Sequence, residues 1–218
     1  MRSLIKAVLF DLDGTLIDTN ELIIESFKHT FKEHLNIDVP ESEIVMYFGE
    51  PLIDTLVRYD KENANLLFNT YIKYNEAIHD DKAREVVYAK ETISELKALG
   101  IKVGVVTSKR KLIAERGLKL FNLFDKMDVI ITPEDTAKHK PEPEPIYKAC
   151  EILNVRPNEA LMIGDSHFDI LCGKNAGAKT CVVKYTVLPL DKIMVYNPEY
   201  AIDEIKEITN IVKEENFR

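Results

Sequence analysis

The chain has 218 residues, 45% of them hydrophobic and 30% charged. That is enough apolar material for one large domain, or for a core with a smaller domain attached, and it excludes a disordered chain. The 29 basic and 37 acidic residues leave a net charge of −8, which argues against a general nucleic-acid binder.

The chain passes from Met1-Arg2-Ser3 straight into an apolar run over 4–10, short enough for a buried strand. No run approaches membrane-spanning length, so neither a leader peptide nor a membrane partner is expected. Cys150, Cys172 and Cys181 are odd in number, lack CxxC spacing and sit among apolar residues. Reduced buried thiols of a cytoplasmic protein are expected, not disulfides or zinc. Asp11-Leu12-Asp13-Gly14-Thr15 follows the first strand. A strand points residues i and i+2 to one side, so both acids can face one small space. Crowded carboxylates need a proton or a cation between them, and hard oxygen ligands suit Mg²⁺. Alone, the pattern reads equally well as a strand end with an Asp-Gly turn.

Over 18–81 the strand signal disappears. Leu22, Ile23, Ser26, Phe27, Thr30 and Phe31 recur at helical spacing. Pro40 opens a second helix, Gly49-Glu50-Pro51 breaks the pattern, and Leu52, Thr55, Leu56 and Tyr59 resume it. Leu66, Leu67, Thr70, Tyr71 and Tyr74 form a last stripe. The expected organisation is a helical cap domain at 18–81 inserted in a core domain of 1–17 and 82–218. From residue 90 helices and strands alternate: helices over 92–99, 112–120, 145–153, 168–176 and 203–214, strands over 101–107, 127–131, 160–164, 179–184 and near Tyr200-Ala201. Gly100 and Gly177 close two of the helices. The alternation predicts an α/β fold, Rossmann-like, with a mainly parallel sheet covered by helices on both faces.

Three more predicted strand ends carry polar residues. Thr107-Ser108-Lys109 offers a hydroxyl and backbone N–H groups that can hold a phosphate oxygen, although such a junction also serves as a plain helix cap. Lys140 lies in Lys140-Pro141-Glu142-Pro143-Glu144-Pro145, where the prolines restrict the loop and can hold an ammonium in place. Gly164-Asp165-Ser166-His167-Phe168-Asp169 ends a strand and sets a second acid four residues on. Asp165 would complete a metal site with Asp11, while Asp169 would either ligate the ion or orient a metal-bound water.

The four motifs, DLDGT, VVTSK, KPEPEP and GDSHFD, appear in the order that resembles the haloacid dehalogenase superfamily, over nearly the whole chain. The resemblance implies an aspartyl-phosphate mechanism with Mg²⁺ as cofactor. Asp11 is then the nucleophile and Asp13 the acid/base, which also ligates the metal through its backbone carbonyl. Asp11, Asp165 and the adjacent Asp169 are the remaining metal positions, and Thr107, Ser108 and Lys140 bind the phosphoryl oxygens. A helical insert after the first motif resembles the phosphoglycolate phosphatase-like branch. DLDGTLIDTNELI, FGEPL, GLKLFNLFD and NEALMIGDSHFDI are similar to the inorganic pyrophosphatases of the superfamily. Pyrophosphate is therefore the expected substrate. The alternatives are a phosphoglycolate phosphatase, a β-phosphoglucomutase-like sugar-phosphate mutase, or a phosphate-sensing module without catalysis. Gly49, Asn20 and Glu21 are candidate substrate contacts, and Lys109 with Arg110 a candidate site for a second phosphate, though each reads equally well as an ordinary surface residue.

Overall fold

The computed structural model describes residues 4–217, so the expected start at Met1-Arg2-Ser3 lies outside the described residues. The strands and helices, in chain order, are β1 (Ala7–Phe10), β2 (Ile17–Asp18), α1 (Asn20–Leu35), α2 (Glu41–Ile44), α3 (Leu52–Tyr59), α4 (Ala64–Lys82), β3 (Arg84–Glu85), α5 (Ala89–Ala98) and β4 (Lys102–Val106). They continue through α6 (Lys111–Leu120), β5 (Val129–Ile131), α7 (Glu144–Leu153), β6 (Ala160–Gly164), α8 (His167–Ala176), β7 (Lys179–Val183), α9 (Leu190–Met194), β8 (Tyr200–Ile202) and α10 (Glu207–Phe217).

Six strands form one parallel sheet in the order β5-β4-β1-β6-β7-β8, a Rossmann-like α/β fold. Alternation along β1 divides the core. Val8 and Phe10 face a cluster with Ile93, Leu96, Leu118, Ile208 and Val212, from α5, α6 and α10. Ala7 and Leu9 face the other side, against Ile146, Ala149, Cys172 and Ala176 of α7 and α8. Because both faces are covered, the strands are nearly continuous apolar runs.

Register decides where the polar ends fall. Phe10 is level with Val105 of β4 and with Ile163 of β6. The residues that follow these three central strands therefore emerge side by side at the carboxyl edge, the usual place for a ligand in an open α/β sheet.

Helices α1 to α4 share an apolar cluster of Phe27, Phe31, Ile44, Leu56, Leu67 and Tyr71, which runs on into Ile170, Val182 and Ile193. The chain leaves for these helices and returns from them through β2 and β3, which pair antiparallel with Ile17 opposite Glu85. Two-residue strands carry no periodic signal, so this ribbon was not expected from sequence. In α4 the buried face is Ala64, Leu67, Tyr71, Asn75 and His79. Leu66, expected in the stripe, is 51% exposed, and Tyr74 stacks on His29 at 3.8 Å between ring centroids. Helix α10 starts at Glu207 and not at 203. Before it, the N–H groups of Asp203 and Glu204 donate to Glu207 Oε1 at 2.9 and 2.7 Å, which fixes a turn ahead of the helix. Among the described residues no helix is long and apolar enough to cross a membrane.

Candidate active site

The carboxyl ends of β1, β4 and β6 deliver Asp11, Thr107 and Asp165 to one place. The Asp11 N–H donates to the Ile163 carbonyl at 2.8 Å, and the Thr107 N–H donates to the Ile131 carbonyl at 3.0 Å, so sheet bonding fixes both backbones. Asp11, Asp165 and Asp169 are buried, and each offers a carboxylate oxygen within 4.8 Å of the other two. Lys140, itself 4% exposed, enters from the loop before α7. Its ammonium lies 2.9 Å from Asp11 Oδ1 and 2.6 Å from Asp169 Oδ1. Asp169 is held from the other side as well, since Ser166 donates to its Oδ2 from the backbone N–H at 3.1 Å and from Oγ at 2.7 Å. This is the capping box of α8, in which a residue three places into the helix satisfies the exposed N–H of the cap.

Three buried acids facing one lysine leave negative charge uncompensated. Burial pushes the Asp11 carboxyl up to about 7, with Lys140 opposing the rise and Asp169 adding to it. Asp165 is raised well above the carboxylate range, first by burial and then by Asp169 and Asp11. Burial works against the Lys140 charge too, yet Asp11 and Asp169 outweigh it and hold the amine above the ordinary lysine value. Asp11 Oδ1 is buried and accepts no well-directed hydrogen bond among the described residues. Gly14, at φ +74°, makes room beside this group, since a Cβ there would stand 2.4 Å from Asp165 Oδ2. An all-oxygen donor set, three carboxylates against one ammonium and space kept by glycine fit a small hard dication.

Asp13 points elsewhere and is not in the three-carboxylate group. It accepts from Thr19 Oγ1 at 2.6 Å and from Lys109 Nζ at 2.8 Å. Both Asp11 and Asp13 border a cavity of about 330 Å³, together with Asn20, Gly49, Thr107, Ser108, Lys109, Arg110 and Asp165. Gly49, at φ +87°, brings its loop directly onto α8, where a Cβ would meet Ser166 Oγ at 2.8 Å. Lys140, expected on the phosphoryl oxygens, does not line this cavity and is held on Asp11 and Asp169. Glu21 is the other exception among the expected contacts. It is absent from the cavity wall, and its exposed carboxylate accepts from Lys82 at 2.6 Å. One step along a helix turns the side chain by about 100°, so Asn20 and its neighbour cannot both face the cavity. Glu50, also in the wall, is engaged by Arg58 and Thr55.

Several residues of the site gave no sequence motif. Tyr71 and Asn75 reach the cavity from α4, and Phe27 from α1. An asparagine four residues beyond a buried tyrosine, on an apolar helix face, was the available signal. His139 also borders the cavity, with Nδ1 buried and without a hydrogen-bond partner in the described structure. Thr19 gave no signal at all, because its role depends on how the chain turns after Gly14.

Comparison with known proteins gives this geometry a family. The profile of the haloacid dehalogenase-like hydrolases matches residues 8–183. A Clostridium perfringens protein provisionally named pyrophosphatase PpaX is 53% identical over 213 residues, 98% of this chain and 100% of that one. Pyrophosphatase PpaX of Bacillus cereus (strain Q1) is 40% identical over 97% of this chain and 98% of its own length. In three dimensions, the crystal structure of a predicted phosphatase from Clostridium acetobutylicum superposes with a TM-score of 0.87 at 27% identity, covering 97% of this chain and 100% of that one. The chain is an enzyme, and it belongs to the haloacid dehalogenase-like hydrolases.

Proposed function

We propose that this phosphohydrolase cleaves inorganic pyrophosphate to phosphate, with Asp11 as nucleophile and an aspartyl-phosphate as the intermediate. The observation that carries the reading is the buried group of Asp11, Asp165 and Asp169 around Lys140, opening on the cavity through Asp11 and Asp165. Two relatives that carry the name pyrophosphatase PpaX, one of them provisionally, align over almost their full length and support the choice of substrate, and so do the two cationic side chains of Lys109 and Arg110 in the cavity wall.

Asp11 attacks phosphorus in line, forming the carboxylate–phosphorus bond as the leaving phosphate departs. Asp13 gives the leaving oxygen a proton and later takes one from the water that opens the acyl phosphate. Thr107, the Ser108 N–H and Lys140 bind the phosphoryl oxygens, and phosphoryl transfer asks mainly for such positioning and charge stabilisation. Mg²⁺ would be held by Asp11, Asp165 and the backbone carbonyl of Asp13, with Asp169 beside them; when bound it neutralises charge so that two anions can meet. Both oxygens of Asp169 already accept hydrogen bonds, so we assign it chiefly to steadying Lys140. We treat 18–81 as a helical cap domain over the core of 1–17 and 82–218, with Gly49 as its contact above the site. Three buried free cysteines support a reducing compartment such as the cytoplasm.

The test is phosphate release from pyrophosphate, phosphoglycolate, a hexose phosphate and p-nitrophenyl phosphate, each with and without Mg²⁺. Pyrophosphate is expected to give the highest kcat/KM, and activity without Mg²⁺ is expected to vanish. Asp11→Asn should abolish turnover on every substrate. Full activity in that variant removes Asp11 as nucleophile.

A further inference from the structure

Lys109 serves two places at once. Its ammonium donates to both oxygens of Asp13, at 2.8 Å to Oδ1 and 3.1 Å to Oδ2. The pair is partly buried, with the lysine side chain 11% and the aspartate side chain 23% exposed. The same lysine borders the cavity, next to Arg110. Among the described residues Arg110 has no ion-pair partner.

The backbone of Lys109 is anchored. Its N–H donates to Thr107 Oγ1 at 3.0 Å, which ties it to the residue at the end of β4. Its long flexible stem can still swing, because four carbons separate the ammonium from that anchor. Asp13 keeps its place without the lysine, since Thr19 Oγ1 donates to it at 2.6 Å. Both oxygens of the proposed proton carrier are therefore occupied, and the occupying cation stands in the wall of the substrate cavity.

We infer that Lys109 is a substrate-operated latch. It covers Asp13 until an anionic group on the leaving portion of the substrate draws the ammonium away and so releases Asp13. The inference rests on the reading of Asp13 as acid/base and deepens it, because it makes the charge of the leaving portion a criterion for turnover. A second phosphoryl group supplies that charge and suits a lysine, which meets phosphate as a point charge. An ester of a neutral alcohol leaves the latch shut. Lys109 thus links the charge on the leaving portion to the freedom of Asp13 and gives the enzyme preference for substrates with two anionic ends.

The decisive experiment compares Lys109→Met with the parent enzyme on pyrophosphate, phosphoglycolate and ethyl phosphate. The first two carry charge on the leaving portion; the third does not, and its alkoxide needs a proton. The variant should lose about tenfold or more in kcat/KM on pyrophosphate and phosphoglycolate, as expected for losing one charged hydrogen bond, and should gain about tenfold in kcat on ethyl phosphate. Changes of opposite sign are not produced by a merely structural defect. A kcat on ethyl phosphate that is unchanged or lower overturns the latch. Lys109→Gln repeats the measurement should the methionine variant not fold. A crystal structure with Mg²⁺ and methylenediphosphonate gives a second readout: Lys109 Nζ should contact the distal phosphonate and leave Asp13, and a retained Lys109–Asp13 pair overturns the proposal. If the parent refuses pyrophosphate but hydrolyses phosphoglycolate, the proposed substrate fails while the phosphoglycolate and ethyl phosphate arms still decide the latch.

Discussion

Lys140 carries the charge balance of the site. It lies between Asp11 and Asp169 at 2.9 and 2.6 Å, in a buried position. Removing it leaves two buried carboxylates unpaired, which typically costs about 3–5 kcal/mol. Lys140→Ala should therefore be destabilised by that order in urea denaturation without metal, and it should lose at least about 100-fold in kcat, as expected when a fixed transition-state donor is deleted. At this scale much was legible. Two acids one residue apart after an apolar run, a lysine before a proline series and a Gly-Asp strand end are unusual residue types for such positions. The partners of those residues were not legible. Lys109 was expected to face a second phosphate, and it does line the cavity, but its ammonium is on Asp13. Glu21 was read as a neighbour of the substrate and instead pairs with Lys82, because the direction of a side chain on a helix depends on the helix's rotation about its own axis.

Helices α4 and α6 meet through a small polar joint. His79 of α4 is 1% exposed and lies against Gly117 of α6, where an added Cβ would stand 3.5 Å from His79 Nε2. Arg116 donates to the Glu76 carbonyl at 2.7 Å and pairs with Asp80 at 2.9 Å. Burial lowers the His79 pKa, with Asp80 opposing the shift and the charges of Lys109 and Arg116 assisting it. The native state therefore binds fewer protons than the unfolded chain, whose histidine titrates near about 6.5. The stability contributed by neutral His79 is complete above that value and is lost as pH falls through it toward the folded pKa. The raised carboxyls of Asp11 and Asp165 act in the opposite direction over this range, so the check is a difference: the gap between the denaturation midpoints of the parent and His79→Gln should shift against the parent as pH falls from 7 to 5. Element identity in the core was readable because the strands are β-branched runs between glycine or proline breaks. The ribbon of β2 and β3 and the five-residue α9 were missed, since elements this short show no period.

Over the whole molecule, the chain brings four distant segments to one edge of one sheet. The strand order β4-β1-β6 and the register of Phe10 with Val105 and Ile163 make residues 11, 107 and 165 neighbours. The three carboxylates so gathered should bind a dication more tightly folded than unfolded, so added Mg²⁺ should raise Tm. At a concentration a hundred times Kd the gain is about 2.7 kcal/mol. Differential scanning calorimetry should show the shift in the parent and not in Asp165→Asn; an equal shift in both would place the ion elsewhere.

Composition, hydrophobic period and the residue types at strand ends were sufficient to determine the α/β class, the parallel sheet and the chemistry offered at its edge, because burial imposes these patterns locally on any chain that folds this way. Only the tertiary structure decided which charge meets which: Lys140 with Asp11 and Asp169, Lys109 with Asp13, Glu21 with Lys82. Ion pairing depends on distances of a few ångströms between residues far apart along the chain, 129 positions in the case of Asp11 and Lys140. Those distances are set by register and helix packing, which no local pattern encodes.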